Sequence, residues 1–130
     1  MEALLQSNLN FKTTVIRFGG LLGEDRHPTK FLAGKTNVEN PDAPVNLIQR
    51  EDCIGIIEKI LNQVEYDNWG ATFNAVAPFH PTKKEYYTQK ATDLNLALPK
   101  FAASNSIVGK TILNDKLIKY LQYSFIKPRL

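Results

Sequence analysis

Two arginines hold the clearest capacity for chemistry in this 130-residue sequence. Arg26 follows Gly19, Gly20 and Gly23 in the run FGGLLGEDR. Glycines let a loop turn with positive φ and bring its amides close to a ligand. A guanidinium offers a planar fork of donors to a phosphate or carboxylate. The run therefore reads as a substrate-binding loop, with Arg26 as its anion contact. Arg17 lies at the end of KTTVIRF (12–18), where a buried charge is costly unless paired. Asp52 is its expected partner in a structural ion pair.

The other reactive residue types are less well placed. His27 and His80 each precede a proline, and no cysteine joins them at ligand spacing, so no metal site is expected. Cys53, the only cysteine, falls on the apolar face of a helix and reads as inert core. Glu51 and Asp52 are adjacent, and neighbours on a helix do not face each other. Tyr86 and Lys90 have Tyr-x-x-x-Lys spacing, and no serine sits in a nucleophile elbow. No residue of this chain is assigned a catalytic or cofactor-binding role.

The elements that must position these groups follow from periodicity. Residues 1–9 read as a helix with Leu4, Leu5 and Leu9 near one face, and its abrupt start suggests the remnant of a longer helix. KTTVIRF is β-branched and nearly unbroken, as in a buried strand. Residues 19–28 read as loop at the carboxyl end of that strand, where open α/β sheets bind ligands. A short helix is expected over 29–34, loop over 35–44 and a strand over 45–48. A helix over 50–64 places Cys53, Ile54, Ile57, Ile60, Leu61 and Val64 on one face. Gly55 weakens that helix or admits a close neighbour.

Residues 71–76 form a second long strand, parallel to 12–18. In the helix 81–95, Thr82 and Glu85 have capping-box spacing and Tyr87, Ala91 and Leu94 form the inner face. Asn95 suits a left-handed stop, and Pro99 prevents a restart. A strand is expected over 107–113. Asn114 then caps a helix bearing Leu117, Ile118 and Leu121, and the tail from Tyr123 reads as a last short strand.

Composition narrows the functional classes. Sixteen basic and 13 acidic residues leave a net charge of +3, densest at Lys83-Lys84 and at Lys127–Arg129. That is too scattered for a nucleic-acid stripe. Trp69 and five tyrosines are dispersed, unlike a base-stacking platform. No apolar run approaches the roughly 20 residues that span a bilayer. With no signal-peptide pattern either, a cytoplasmic, single-domain protein over 1–130 is expected.

Three segments in register resemble the extended short-chain dehydrogenases, the NAD(P)-dependent epimerase/dehydratase family. They are TVIRFGGLLGEDR (14–26), PVNLIQREDCIGIIEKIL (44–61) and TFNAVAPFHPTKKEYY (72–87). Within that family, RHPTKFLAGKT (26–36) is similar to an atypical bacterial branch of nucleoside-diphosphate-sugar epimerase-like proteins. The resemblance implies an α/β fold: the C-terminal portion of a Rossmann-like domain, a few parallel strands with flanking helices and a small substrate-binding subdomain. It implies NAD or NADP for a full-length relative and none in this chain. It implies Asn46 as a further substrate contact, with Gly19, Gly20, Gly23 and Arg26.

The family's G-x-x-G-x-x-G fingerprint is not in this sequence, and the family's Tyr-x-x-x-Lys pair would fall before residue 1. Gln49 replaces the family's histidine. The implied function is substrate binding, of a small molecule such as a nucleotide sugar, without catalysis by this chain alone. The alternative is a non-catalytic binding or assembly module. Either way, open strand edges and apolar surface predict self-association or docking to a Rossmann half.

Overall fold

The computed structural model describes residues 1–63, 69–104 and 109–130. Its elements are α1 (Glu2–Gln6), β1 (Val15–Phe18), β2 (Gly20–Leu22), α2 (Thr29–Leu32), β3 (Leu47–Gln49), α3 (Arg50–Asn62), β4 (Thr72–Ala75), α4 (Lys83–Asp93) and α5 (Asp115–Leu121). The expected α/β class with parallel strands is what forms. β1 pairs β4 in parallel, with Val15 opposite Thr72 and Phe18 opposite Ala75. The segment 19–28, expected to be loop throughout, contributes β2, which pairs in parallel with β3. The chain thus changes partner at Gly19, whose amide donates to Ala75 O (2.9 Å) just before that of Gly20 donates to Asn46 O (2.8 Å).

The main core lies between the strands and two helices. Ile48, Phe73 and Ala75 from the strands meet Cys53, Ile56 and Ile60 of α3 and Leu117 and Leu121 of α5. A smaller cluster joins Leu22, Val45, Leu47 and Tyr86. α3 is therefore apolar on two stripes rather than one. Cys53, Ile56 and Ile60 point inward, whereas Ile54, Ile57 and Leu61 are exposed. Apolar positions at both i+3 and i+4 spacing fit more than one helical face, so the pattern alone did not choose the seam. Val64 lies outside the described residues. On α4, the buried pair is Tyr86 and Ala91; Tyr87 is half-buried and Leu94 exposed.

Local signals behave largely as their chemistry dictates. Thr82 and Glu85 form the capping box, and Asn95 takes a left-handed φ of 53°. α1 is shorter than expected and buries none of its residues. The strand expected over 107–113 lies partly outside the described residues, and the part from 109 on is irregular, as is the tail. Asn114 occupies the N-cap position of α5 without a side-chain cap bond. Its amide donates to Val76 O (2.8 Å) instead, tying the helix to the end of β4. Among the described residues no helix is long and apolar enough to cross a membrane.

Candidate functional site

The two arginines end in different settings. Arg17 does not meet Asp52. Its exposed side chain faces outward from β1 and pairs with Glu2, Nε lying 3.2 and 3.1 Å from the two carboxylate oxygens. Side chains alternate across a strand, and Arg17 falls on the side open to solvent, so burial never forces the expected ion pair. The Arg17 guanidinium holds the Glu2 carboxyl below the usual carboxylate range.

Asp52 is fully buried and is satisfied by hydrogen bonds rather than by a cation. Its Oδ1 accepts from the Tyr123 hydroxyl (2.8 Å) and the Ile126 amide (2.7 Å), and its Oδ2 from the Lys127 amide (2.9 Å). The tail is clamped along α3 by this carboxylate. Gly55 has its reason here: a Cβ at that position would run into the Tyr123 ring and hydroxyl. Burial, then the hydrogen bond to Asp52, push the Tyr123 phenol well up. No short sequence signal announces a contact between residues 52 and 123.

Arg26 stands at the open end of the strands. The Gly23 and Arg26 backbones hydrogen-bond in both directions (3.1 and 3.2 Å), a tight turn that leaves the Arg26 side chain exposed. Cavities lie on both sides of it. One, of about 370 Å³, is lined by Asp25, Arg26, His27, Lys30 and Phe31. The other, of about 190 Å³, is lined by Leu21, Gly23, Asp25, Arg26, Arg50 and Cys53, among others. Arg50 also approaches Glu24 at 4.0 Å. Two arginines, a lysine and an exposed ring therefore line the space beside a short carboxyl-end turn, with Asp25 on the shared wall. Desolvation, reinforced by the Asp52 charge, pushes the Cys53 thiol up to about 11, so it borders the cavity as an unreactive thiol.

The glycines divide by role. A Cβ at Gly19 would meet Asn46 O at 2.6 Å and Val76 Cγ1 at 2.7 Å, so Gly19 serves contact between the chain's own strands. At Gly20 the obstacle is the Leu47 side chain. Gly23 alone adjoins the cavities. Asn46 uses its side-chain amide to hold backbone, donating to Lys110 O (2.8 Å) and accepting from the Ile112 amide (2.8 Å). Lys30, His27, Phe31 and Arg50 join Arg26 although sequence reasoning did not name them as site residues. That α2 lines the same cavity as the turn at Arg26 could not be read from spacing.

No protein-family model matches the sequence. The chain is 36% identical over 115 residues to Protein YeeZ of Escherichia coli (strain K12), covering 88% of this chain and 40% of that protein. It spans well under half the length of that curated relative. A functionally unknown conserved protein from Silicibacter pomeroyi DSS superposes with a TM-score of 0.79 at 20% identity, over 98% of this chain and 49% of its own.

A provisional NAD-dependent epimerase/dehydratase from Methylobacillus flagellatus gives 0.76 at 21%, over 98% and 46%. UDP-N-acetylglucosamine 4-epimerase from Bacillus cereus gives 0.68 at 14%, over 95% and 46%. The chain has the fold of the C-terminal part of epimerase/dehydratase structures, a likeness of fold at these identities.

Proposed function

We propose that this chain is the substrate-binding portion of an epimerase/dehydratase-like protein, performing no catalysis by itself. The observation that carries this reading is the cationic turn at the carboxyl ends of parallel strands. Arg26, Lys30 and Arg50 border adjoining cavities just beyond the carboxyl ends of β2 and β3, the position at which open α/β sheets bind ligands. An anionic small molecule with a ring suits these walls: phosphate or carboxylate against the guanidinium and ammonium groups, and a flat face on Phe31, which is 73% exposed. A nucleotide sugar has both parts, and one fold neighbour acts on such a compound by its name.

In this reading Arg26 binds and orients the anion, Lys30 and Arg50 neutralise it, and the Asp52 clamp holds the start of α3 in place. NAD or NADP would be held by a nucleotide-binding half, which supplies the hydride chemistry when loaded. That half would also cover the exposed apolar stripe of α3, Ile54, Ile57 and Leu61, a patch of the kind that marks an interface. Without it, the same patch is expected to drive self-association, read by sedimentation.

The test is calorimetric titration of the chain with UDP-N-acetylglucosamine, NAD and NADP. The sugar nucleotide should bind, and Arg26→Ala should weaken it about tenfold, a loss of roughly 1.4 kcal/mol. Micromolar binding of either dinucleotide by this chain would overturn the assignment. Sugar-nucleotide binding indifferent to Arg26→Ala would remove the site.

A further inference from the structure

A separate cavity of about 310 Å³ lies against α4, sharing no lining residue with those around Arg26. Phe79, Pro81, Tyr86, Gln89, Lys90 and Leu130 line it. Its size is at the lower end for small-molecule pockets, about 300–1,000 Å³. Tyr86 is only 5% exposed, and its hydroxyl makes no hydrogen bond among the described residues. No sealed side-chain nitrogen or oxygen lacks a partner among them, and the cavity is the open space that Tyr86 lines.

Charge around the opening is unevenly committed. Lys90 stands one turn beyond Tyr86 on the same side of the helix. The Arg129 guanidinium sits 5.1 Å from the Phe79 ring centre. Glu85, also at the wall, turns its Oε2 back to the Thr82 amide and hydroxyl (2.9 Å each). The cavity is thus an apolar slot with the Tyr86 hydroxyl on its wall, Lys90 and Arg129 beside it, and a single side-chain carboxylate, Glu85, held back by Thr82.

We propose that this cavity binds a small organic acid with an apolar body, which rests on Phe79, Pro81 and Leu130 while its carboxylate takes the Tyr86 hydroxyl and the Lys90 ammonium. The Tyr-x-x-x-Lys spacing here serves recognition rather than proton transfer. Burial pushes the Tyr86 phenol up to about 12, which keeps it a donor at neutral pH.

Phenylacetate is the probe, titrated into the chain and followed through backbone amide NMR shifts. Saturable shifts on α4 and around Phe79 and Leu130 are expected, with a dissociation constant on the order of 1 mM. Phenylacetamide should bind at least threefold more weakly. Tyr86→Phe and Lys90→Gln should each weaken phenylacetate about three- to tenfold, the effect of one lost hydrogen bond. Lys90 is a helix-surface residue, so its variant reports on binding even if Tyr86→Phe perturbs folding. Arg26→Ala should leave phenylacetate unaffected, which separates this site from the proposed substrate loop. The proposal is overturned if phenylacetate gives no saturable shifts at α4, if phenylacetamide binds equally well, or if Lys90→Gln binds like the unaltered chain.

Discussion

Asp52 and Arg26 carry opposite charges into opposite circumstances. Asp52 is fully buried and spends both oxygens on three donors of the tail. Arg26 is exposed beside two cavities, at the end of a turn made by backbone alone. One charge is used up in holding the fold, while the other remains available to a ligand. A buried charge with its hydrogen bonds filled speaks for architecture, and a charge left uncommitted beside a cavity speaks for binding.

Asp52 is the more sensitive of the two positions. Asp52→Ala leaves a phenol and two amides without their acceptor, and hydrogen bonds to a charged group are worth about 1.5–3 kcal/mol each. A loss of about 4 kcal/mol in urea unfolding is expected; a loss below about 1 kcal/mol would place Asp52 with the ordinary surface acids. Next comes Gly55→Ala, which alanine's helix preference alone would make favourable by about 1 kcal/mol. The clash with Tyr123 should reverse the sign and cost about 2 kcal/mol. In a Tyr123→Ala background the same substitution should become stabilising, a double-mutant cycle that isolates the contact.

Arg26→Ala removes the exposed charge. Its unfolding free energy should stay within about 0.5 kcal/mol of the unaltered chain while sugar-nucleotide affinity falls. A large stability loss would make Arg26 a second architectural charge.

A titration adds a smaller effect. The Tyr86 phenol rises from an ordinary 10.0 to about 12. A raised folded value means that the stabilisation is fully present below pH 10 and is lost as pH climbs from 10 toward 12. Tyr86→Phe should flatten that part of the stability profile, measured by thermal melts in alkaline buffers. Smallest of all, Glu2→Gln should leave the urea midpoint unchanged, because both partners of its ion pair are solvent-exposed and such pairs contribute little.

The elements legible in the sequence were those whose signals are local. The strands at 15–18 and 72–75, their parallel pairing, the Thr82 capping box and the stop at Asn95 each follow from a few consecutive residues. The site was legible only in part. Arg26 and Gly23 reach the cavities, whereas Gly19, Gly20 and Asn46 are occupied by the chain's own backbone contacts. Partner choice was the weak point: the strand pattern of KTTVIRF marks a buried segment but not which of its faces meets solvent, so Arg17 was matched to the wrong acid. The carboxylate clamp joins residues 71 to 75 positions apart, beyond the reach of any window of propensity or spacing.

The change of partner at Gly19 has a mechanical consequence. β1 is registered against β4 and β2 against β3, so the lever that ends in Arg26 takes its position from two ladders joined through one residue without a side chain. A bulkier residue there would have to part the two ladders before it could fit. The aim of the guanidinium is thus set far from any ligand, by how closely two backbones are allowed to lie.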